Sequence, residues 1–468
     1  MLKHLCGFVI LVSIIVFAYK YQGFYSGESF STAKSPKVLK GRTQPTAARS
    51  TTTTTTRTTV SQKTSKPIAS KSPGTSATTR TTASNSITKT TKQPDVTTTH
   101  TRNNLLDEAR SSALKKIFKN NRKKTILSFT KVFGEKGWWD APLGNEFLEH
   151  EGQSTKQCQF NHCKVTYDAK DVKISDAVLC HANELPSIKE LRTARSSPRQ
   201  LWVWMTNESP YSFRNRSFVS YHGFFNWTGT YMRDSDIWTP YMFIKPLTKP
   251  SPEMKKFNLA EGKDKMVLAL VSNDCDSYRV KFIRALKKFI DIDLYGKCKD
   301  SVNPELSGDC RFGSKECEQL KRRYKFTLSL ENAFCTDYIT EKFYYNGLLA
   351  GNVPIVLNRA NMSNPKIAPP NSFVNVLDFK NLKSLANHLK MLASDDEKYN
   401  KLHAWRMNYK VATKNRMCTT CEALWKRDME IAKTGKLVHK TADVSSFWDY
   451  NRNCVAYDTE SFQKYLHD

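Results

Sequence analysis

Residues 331–342 read ENAFCTDYITEK and crowd two glutamates, an asparagine, a tyrosine and a lysine between two apolar runs. Lys342, near a helix start, suits a phosphate, and Glu341 beside it suits the hydroxyls of a ribose. Arg279, in SNDCDSYRVKF at 272–282, stands in the same kind of position. Two such cations aimed at one anion would make a diphosphate site. A third stretch, WVWMTNESP at 202–210, carries Glu208 from an apolar, tryptophan-rich run to a proline that ends it. With Trp202, Trp204 and Trp227 nearby in sequence, that carboxylate would hold its proton more tightly and could act as a general base. Taken singly, Arg279, Glu341 and Lys342 read equally well as solvated helix charges, and Glu208 as a turn residue. Their weight comes from where the chain must place them.

The stretch around Arg279 predicts a buried strand at 267–271, a helix from about Ser277 to Ile290, and a second strand at 292–295. Val280, Ile283, Leu286 and Ile290 recur at helical spacing and give that helix one apolar face. The opening dozen sits in a matching unit: strand 326–330, a polar loop to Asp337, a helix to about Ala350, Gly351 as its stop, and strand 353–357. Asp337 is expected to cap this helix, with Ile339, Phe343, Gly347 and Ala350 as its sheet-facing stripe. Tyr338, Glu341 and Lys342 are expected to share its exposed side. In one parallel sheet with right-handed crossovers, both first strands end at the same edge, where open α/β sheets bind ligands. Neither turn carries G-x-G-x-x-G or a Walker lysine loop, which sets aside dinucleotide oxidoreductases and P-loop enzymes. A diphosphate bound without a glycine loop points to a nucleotide sugar.

The earlier part of the chain, about 125–262, holds further strand-like runs: TILSF at 125–129, DAVLCH at 176–181 and LWVWM at 201–205. Its second polar cluster, FNWTGTYMRDSDIWTPY at 225–241, contains Asp234-Ser235-Asp236, an oxygen pair of the kind hard cations prefer. The inferred nucleotide site lies in the other half, so these aspartates are expected to be structural or to face the acceptor, and no metal site is expected.

The 468 residues carry a formal charge of +29, yet residues 20–125 alone hold 21 Lys and Arg against four acids. That tail accounts for +17 of the total, so the basicity does not point to nucleic acid. Leu5 to Tyr19 is an uncharged apolar run expected to be a short signal anchor, with the N-terminus cytosolic. Residues 31–103 are rich in Thr, Ser, Lys and Pro, a composition that stays extended and, in a secretory lumen, reads as an O-glycosylated stalk. Eleven of the twelve cysteines lie beyond the anchor, and an odd number leaves at least one thiol unpaired. Cys418 and Cys421 form a lone C-x-x-C, expected to be disulfide partners rather than zinc ligands. Asn215, Asn226 and Asn361 head sequons compatible with N-glycans, whereas Pro210 follows the Asn207 sequon directly.

With these residues in view, YKFTLSLENAFCTDYITEKFYYNGLLAGNVPIVLN at 324–358 closely resembles the donor-binding signature of the α1,3-fucosyltransferases. WVWMTNESP, FNWTGTYMRDSD, VSNDCDSYRVKFIRAL and PPNSFVNVLDF resemble that family's other landmarks, in its order. The resemblance implies an α/β fold of two facing Rossmann-like domains of the GT-B type, after a membrane anchor and a disordered stem. It implies GDP-fucose on the C-terminal half and a GlcNAc-containing glycan on the N-terminal half, in a single-pass type II protein of the Golgi membrane with its catalytic domain lumenal. Carried over residue by residue, Glu208 matches the proposed base, Arg279 and Lys342 the diphosphate cations, and Asn332, Tyr338 and Glu341 further donor-binding groups. The implied reaction is inverting transfer of L-fucose to the 3-hydroxyl of GlcNAc, with no obligatory cofactor and divalent cations such as manganese at most stimulatory.

The chain departs from the family pattern at Cys180-His181-Ala182-Asn183-Glu184 in the acceptor region, at Ala333 and at Met242. The expected organisation is a cytosolic tail at 1–4, anchor at 5–20, stem at 21–124, acceptor-side domain at 125–262, donor-side domain at 263–425 and a C-terminal tail at 426–468 without assigned role. Another nucleotide-sugar glycosyltransferase, or an inactive membrane-anchored glycan-binding protein, are the alternative readings.

Overall fold

The computed structural model describes residues 121–134, 158, 160–252, 257–437, 440–456, 460–463 and 465. The expected anchor and almost all of the expected stem lie outside these residues. Two parallel sheets organise what is described. The first has strands β1 Lys124–Ser128, β2 Cys163–Thr166, β3 Ala177–His181, β4 Leu201–Met205, β5 Trp227–Thr230 and β6 Ile237–Trp238, in the order β2-β1-β3-β4-β5-β6. Every neighbouring pair in it runs parallel. The β4 residues show why both faces of such a sheet are apolar. Trp202 and Trp204 pack into an aromatic cluster with Phe213, Phe218, Phe224 and Phe225, while Leu201, Val203 and Met205 face Met417, Leu424 and Trp425.

β7 Phe243–Pro246 leaves this half and pairs antiparallel with β14 Tyr409–Ala412. The second sheet is built from β8 Lys265–Leu270, β9 Ile292–Tyr295, β10 Tyr324–Leu330, β12 Val353–Leu357 and β13 Val374–Asn375, all parallel, in the order β13-β12-β10-β8-β9. Both strand-helix-strand units read from the sequence are therefore present in one sheet. The helix Tyr278–Lys287 buries Val280, Ile283 and Leu286 on it as expected.

The second unit differs at its loop. β11 Phe334–Cys335 intervenes, pairing antiparallel with β15 Cys454–Val455 from the C-terminal tail. The helix then starts at Glu341, capped by Thr340, and continues as a π-helix over Tyr344–Leu349. Asp337 is not its cap: at φ +56° it accepts the Arg233 N–H at 3.2 Å. Gly347 permits the close approach of this helix, since a Cβ there would lie 2.6 Å from Pro354 Cγ, and Gly351 ends it at φ +78°.

The helix Arg416–Thr434, partly assigned from sequence to the donor-side domain, instead packs on the first sheet through Met417, Leu424 and Trp425. Disulfides Cys158–Cys418 and Cys163–Cys421 fasten it there. The C-x-x-C cysteines are thus paired with the first half and not with each other. Cys275–Cys298, Cys310–Cys317 and Cys335–Cys454 are the other bridges, and buried Cys180 is the free thiol among the described residues.

Candidate active site

The carboxyl end of β4 delivers Glu208. Its N–H donates to Thr206 Oγ1 at 3.0 Å, and the following Pro210 opens the short 3-10 turn Pro210–Phe213. Within that turn Ser212 Oγ donates to Glu208 Oε2 at 3.4 Å. Tyr241, from the same half, donates to the Asn207 carbonyl at 2.8 Å and holds the backbone beside the carboxylate. Glu208 is half-buried, with part of its surface open. Burial raises its proton affinity; the Lys342 ammonium opposes that shift and the Glu341 carboxylate adds to it. A carboxylate from the first half thus senses the two charges that begin a helix of the second.

At that helix start, Glu331 immediately follows β10 and is wholly buried. It accepts from the Thr340 N–H at 2.8 Å and from the Thr340 hydroxyl at 2.9 and 3.0 Å, and Lys342 Nζ lies 3.4 Å from it. Lys342 Nζ also pairs with Glu341 at 2.9 Å. Burial works against the Lys342 charge and the Arg279 guanidinium does too, but Glu341 and Glu331 outweigh them and raise its pKa. Burial pulls Glu341 up as well, yet Lys342 and its hydrogen bonds hold it below the usual carboxylate range. Lys342 is therefore a fixed cation between two carboxylates.

Arg279 lies in the first turn of the helix Tyr278–Lys287, buried, with Nη2 donating to the Asn273 carbonyl at 3.1 Å. Its Nε has no hydrogen-bond partner, nor does the N-cap hydroxyl of Ser277. The same holds for Asn207 Oδ1, Ser209 Oγ, Tyr231 OH and Asn358 Nδ2. All six atoms belong to segments that follow parallel strands at the carboxyl edges of the two sheets. Buried polar groups are ordinarily satisfied, so these six, among others elsewhere in the fold, are available to a polar ligand at the sheet edges.

Sequence reasoning singled out Glu208, Arg279, Glu341 and Lys342, and the structure couples Glu208, Glu341, Lys342 and Arg279 electrostatically. Asn332 is exposed just beyond β10. Tyr338 precedes the helix and is buried, in place of the exposed position expected. Its ring is 5.0 Å from Tyr231 and 6.2 Å from Tyr241, so burial among first-half aromatics replaces solvation. Glu331 and Tyr241 were missed, although a glutamate directly after an apolar parallel strand was a usable signal.

The sequons divide. Asn215 and Asn361 are exposed. Asn226 is buried: its Oδ1 accepts from Arg195 and from the Trp202 N–H at 2.8 and 2.9 Å, and its Nδ2 donates to the Lys440 carbonyl at 3.1 Å. The expectation of a glycan there is corrected, because the side chain that would carry it is buried and hydrogen-bonded inside the fold. Asp236 likewise accepts from the Thr228 N–H and hydroxyl and pairs with Lys440, a structural use of the Asp-Ser-Asp sequence.

Two parallel α/β halves, with the half-buried Glu208 after a strand of one and the Lys342 helix start after a strand of the other, fit a glycosyltransferase of the nucleotide-sugar class. Residues 121–242 match the family model "Fucosyltransferase, N-terminal", and 260–441 match "Glycosyltransferase family 10 (fucosyltransferase) C-term". The chain belongs to glycosyltransferase family 10, the fucosyltransferases. A bovine "3-galactosyl-N-acetylglucosaminide 4-alpha-L-fucosyltransferase FUT3" is 33% identical over 271 residues, 57% of this chain and 70% of its own length. The Caenorhabditis elegans "Alpha-(1,3)-fucosyltransferase fut-5" is 30% identical over 349 residues, 72% of this chain and 85% of its own. The solved "Crystal Structure of alpha1,3-Fucosyltransferase with GDP-fucose" is 16% identical with a TM-score of 0.39, over 68% of this chain and 93% of that one.

Proposed function

We propose that this fucosyltransferase moves L-fucose from GDP-β-L-fucose to the 3-hydroxyl of an N-acetylglucosamine in a glycan, with inversion, and that Glu208 is the general base. The observation that carries the reading is the Lys342 ammonium, held 2.9 Å from Glu341 and 3.4 Å from Glu331 at a helix start of the second half, within electrostatic reach of Glu208 after β4 of the first. The names of relatives support the chemistry, among them a human "4-galactosyl-N-acetylglucosaminide 3-alpha-L-fucosyltransferase FUT6", 33% identical over 271 residues.

In this mechanism the Glu208 carboxylate takes the proton of the 3-hydroxyl as that oxygen attacks the anomeric carbon of fucose. The bond from that carbon to the β-phosphate oxygen breaks on the opposite face, and the β-linked donor gives an α product. Charge building on the leaving diphosphate falls beside Arg279 and Lys342 and at the N-terminus of the helix Tyr278–Lys287. Asn332, Tyr338 and Glu341 are assigned to the rest of the donor. No metal is required in this scheme, and divalent cations act at most as stimulants. The proposed location is the Golgi lumen, behind the anchor expected at 5–20; five disulfides among the described residues support an oxidising compartment.

The test is Glu208→Gln assayed with GDP-fucose and a panel of GlcNAc-terminated, LacNAc and N-glycan-core acceptors, with linkage analysis of the wild-type product. Wild-type turnover in the variant, or a linkage other than α1,3, would overturn the proposal.

A further inference from the structure

The C-terminal tail, to which the sequence assigns no role, makes contacts with both halves. It begins on the first half, where the Ala442 N–H donates to the Phe225 carbonyl at 2.8 Å and Lys440 pairs with Asp236. Trp448, 2% exposed, then inserts its ring edgewise 5.4 Å from Trp204 and 5.4 Å from Tyr231. Trp204 lies on β4, four residues before Glu208. Tyr231 packs on Tyr338 of the second half at 5.0 Å. Two residues further on, Tyr450 meets Tyr211, in the turn just after Glu208, at 5.9 Å.

The tail then crosses to the second half. The Asn453 carbonyl accepts from the Thr336 N–H at 2.8 Å and the Thr336 hydroxyl at 3.1 Å. Cys454 is bonded to Cys335, and β15 pairs with β11 in the loop that carries Tyr338. Phe462 continues onto Phe334 at 4.6 Å and Tyr278 at 5.8 Å. Tyr278 is the first residue of the helix that carries Arg279. The family match ends at residue 441, so these contacts, that of Lys440 apart, are made by tail residues beyond the matched span.

We propose that residues 440–456, together with Phe462, form a clasp between the halves and that Trp448 is a positioning residue for fucosyl transfer, holding the Glu208 turn in register with the Tyr338 donor loop. The physical reason is that neither half alone fixes the distance between base and donor. A rigid aromatic wedge seated on β4 and on the Tyr231–Tyr338 pair fixes that distance, and the Cys335–Cys454 bridge prevents the wedge from withdrawing. Arg279 and Lys342, the proposed diphosphate cations, make their own contacts within the second half, so the hold on the phosphates of GDP should not depend on the clasp. Transfer should, because displacing a reacting group by about 1 Å can cost about a hundredfold in rate.

The inference rests on the proposed donor and base, and wild-type transfer from GDP-fucose in the same assay separates failure of that reading from failure of this one. The experiment uses the full chain purified in detergent, with Trp448→Ala, Trp448→Phe and the double variant Cys335→Ser/Cys454→Ser. GDP affinity is read by calorimetry, and kcat and KM by transfer. The clasp predicts that Trp448→Ala and the double variant lower kcat about tenfold or more while GDP affinity changes less than about threefold, and that Trp448→Phe restores most of kcat. Should Trp448→Ala not fold, the double variant carries the same test from the donor end. Wild-type kcat in the folded variants overturns the proposal. So does loss of kcat and GDP binding in step, without rescue by Trp448→Phe, since that describes a fold defect and not misregister.

Discussion

Glu331, with none of its surface open, lies 3.4 Å from the Lys342 ammonium. It also accepts from the N–H and the hydroxyl of Thr340, the residue that caps the helix on which Lys342 sits. One buried carboxylate therefore holds both the helix start and the Lys342 ammonium, the cation proposed for the donor diphosphate. Burial raises the proton affinity of Glu331, and Lys342 opposes that. Neither charge is comfortable without the other.

Removing one partner of such a pair leaves the other charge uncompensated. Glu331→Ala is expected to cost about 3–5 kcal/mol in stability and to weaken GDP binding, whereas Glu331→Gln keeps an acceptor for the Thr340 N–H and is milder. Urea denaturation together with GDP titration measures both effects. Equal stability of the Ala variant and wild type would show that the pair does not hold the helix start.

The pH profile follows from Glu208. Its pKa is raised, first by burial, against the opposing pull of Lys342. Activity that needs the carboxylate must then fail on the acid side at a pH above the ordinary value for glutamate, about 4.3. In Lys342→Gln the opposing charge is gone, so the acid limb of the residual kcat/KM should move to still higher pH. A limb that stays in place, or moves down, would separate Lys342 from the base. In Glu208→Gln the limb should disappear together with about two to four orders of magnitude in kcat.

Much of this arrangement was legible in the sequence for one reason: parallel strands buried on both faces write themselves as continuous apolar runs, and the polar residues that follow them are the carboxyl edge. Val267 to Leu270 and Phe326 to Leu330 are of this kind, which is why Arg279, Glu341 and Lys342 could be placed before any coordinates. Asp337 was misread as a cap because local preference favours aspartate there. The actual start at Thr340 depends on β11 pairing with Cys454–Val455, some 120 residues away. Tyr338 moved from an exposed to a buried position for a related reason, since its neighbours Tyr231 and Tyr241 come from the other half. No periodicity encodes such encounters.

Asn226 illustrates the same limit and gives a direct test. A sequon is a three-residue signal, but the Asn226 side chain bonds Arg195, the Trp202 N–H and the Lys440 carbonyl. Glycopeptide mapping of the active enzyme should find Asn226 unmodified, with Asn215 and Asn361 as the accessible sites. Asn226→Ala should destabilise the protein by about 1–3 kcal/mol, because buried donors and acceptors lose their partner. A glycan on Asn226 of folded, active enzyme would contradict this account.

Asp236 has both carboxylate oxygens engaged, Oδ2 by the Thr228 N–H and hydroxyl and Oδ1 by Lys440. Ser235 is engaged too, its hydroxyl 2.5 Å from that of Thr230. A cation bound by Asp234 and Asp236 would have to displace Lys440, and with it part of the contact that seats the C-terminal tail on the first half. Transfer activity should therefore survive exhaustive chelation by EDTA, and added manganese should change kcat by no more than a few-fold. In Lys440→Ala the Oδ1 atom is released, and any manganese stimulation should then grow. Loss of activity on chelation, restored by manganese and abolished in Asp236→Asn, would instead assign the aspartates to a metal and return the leaving diphosphate to its charge.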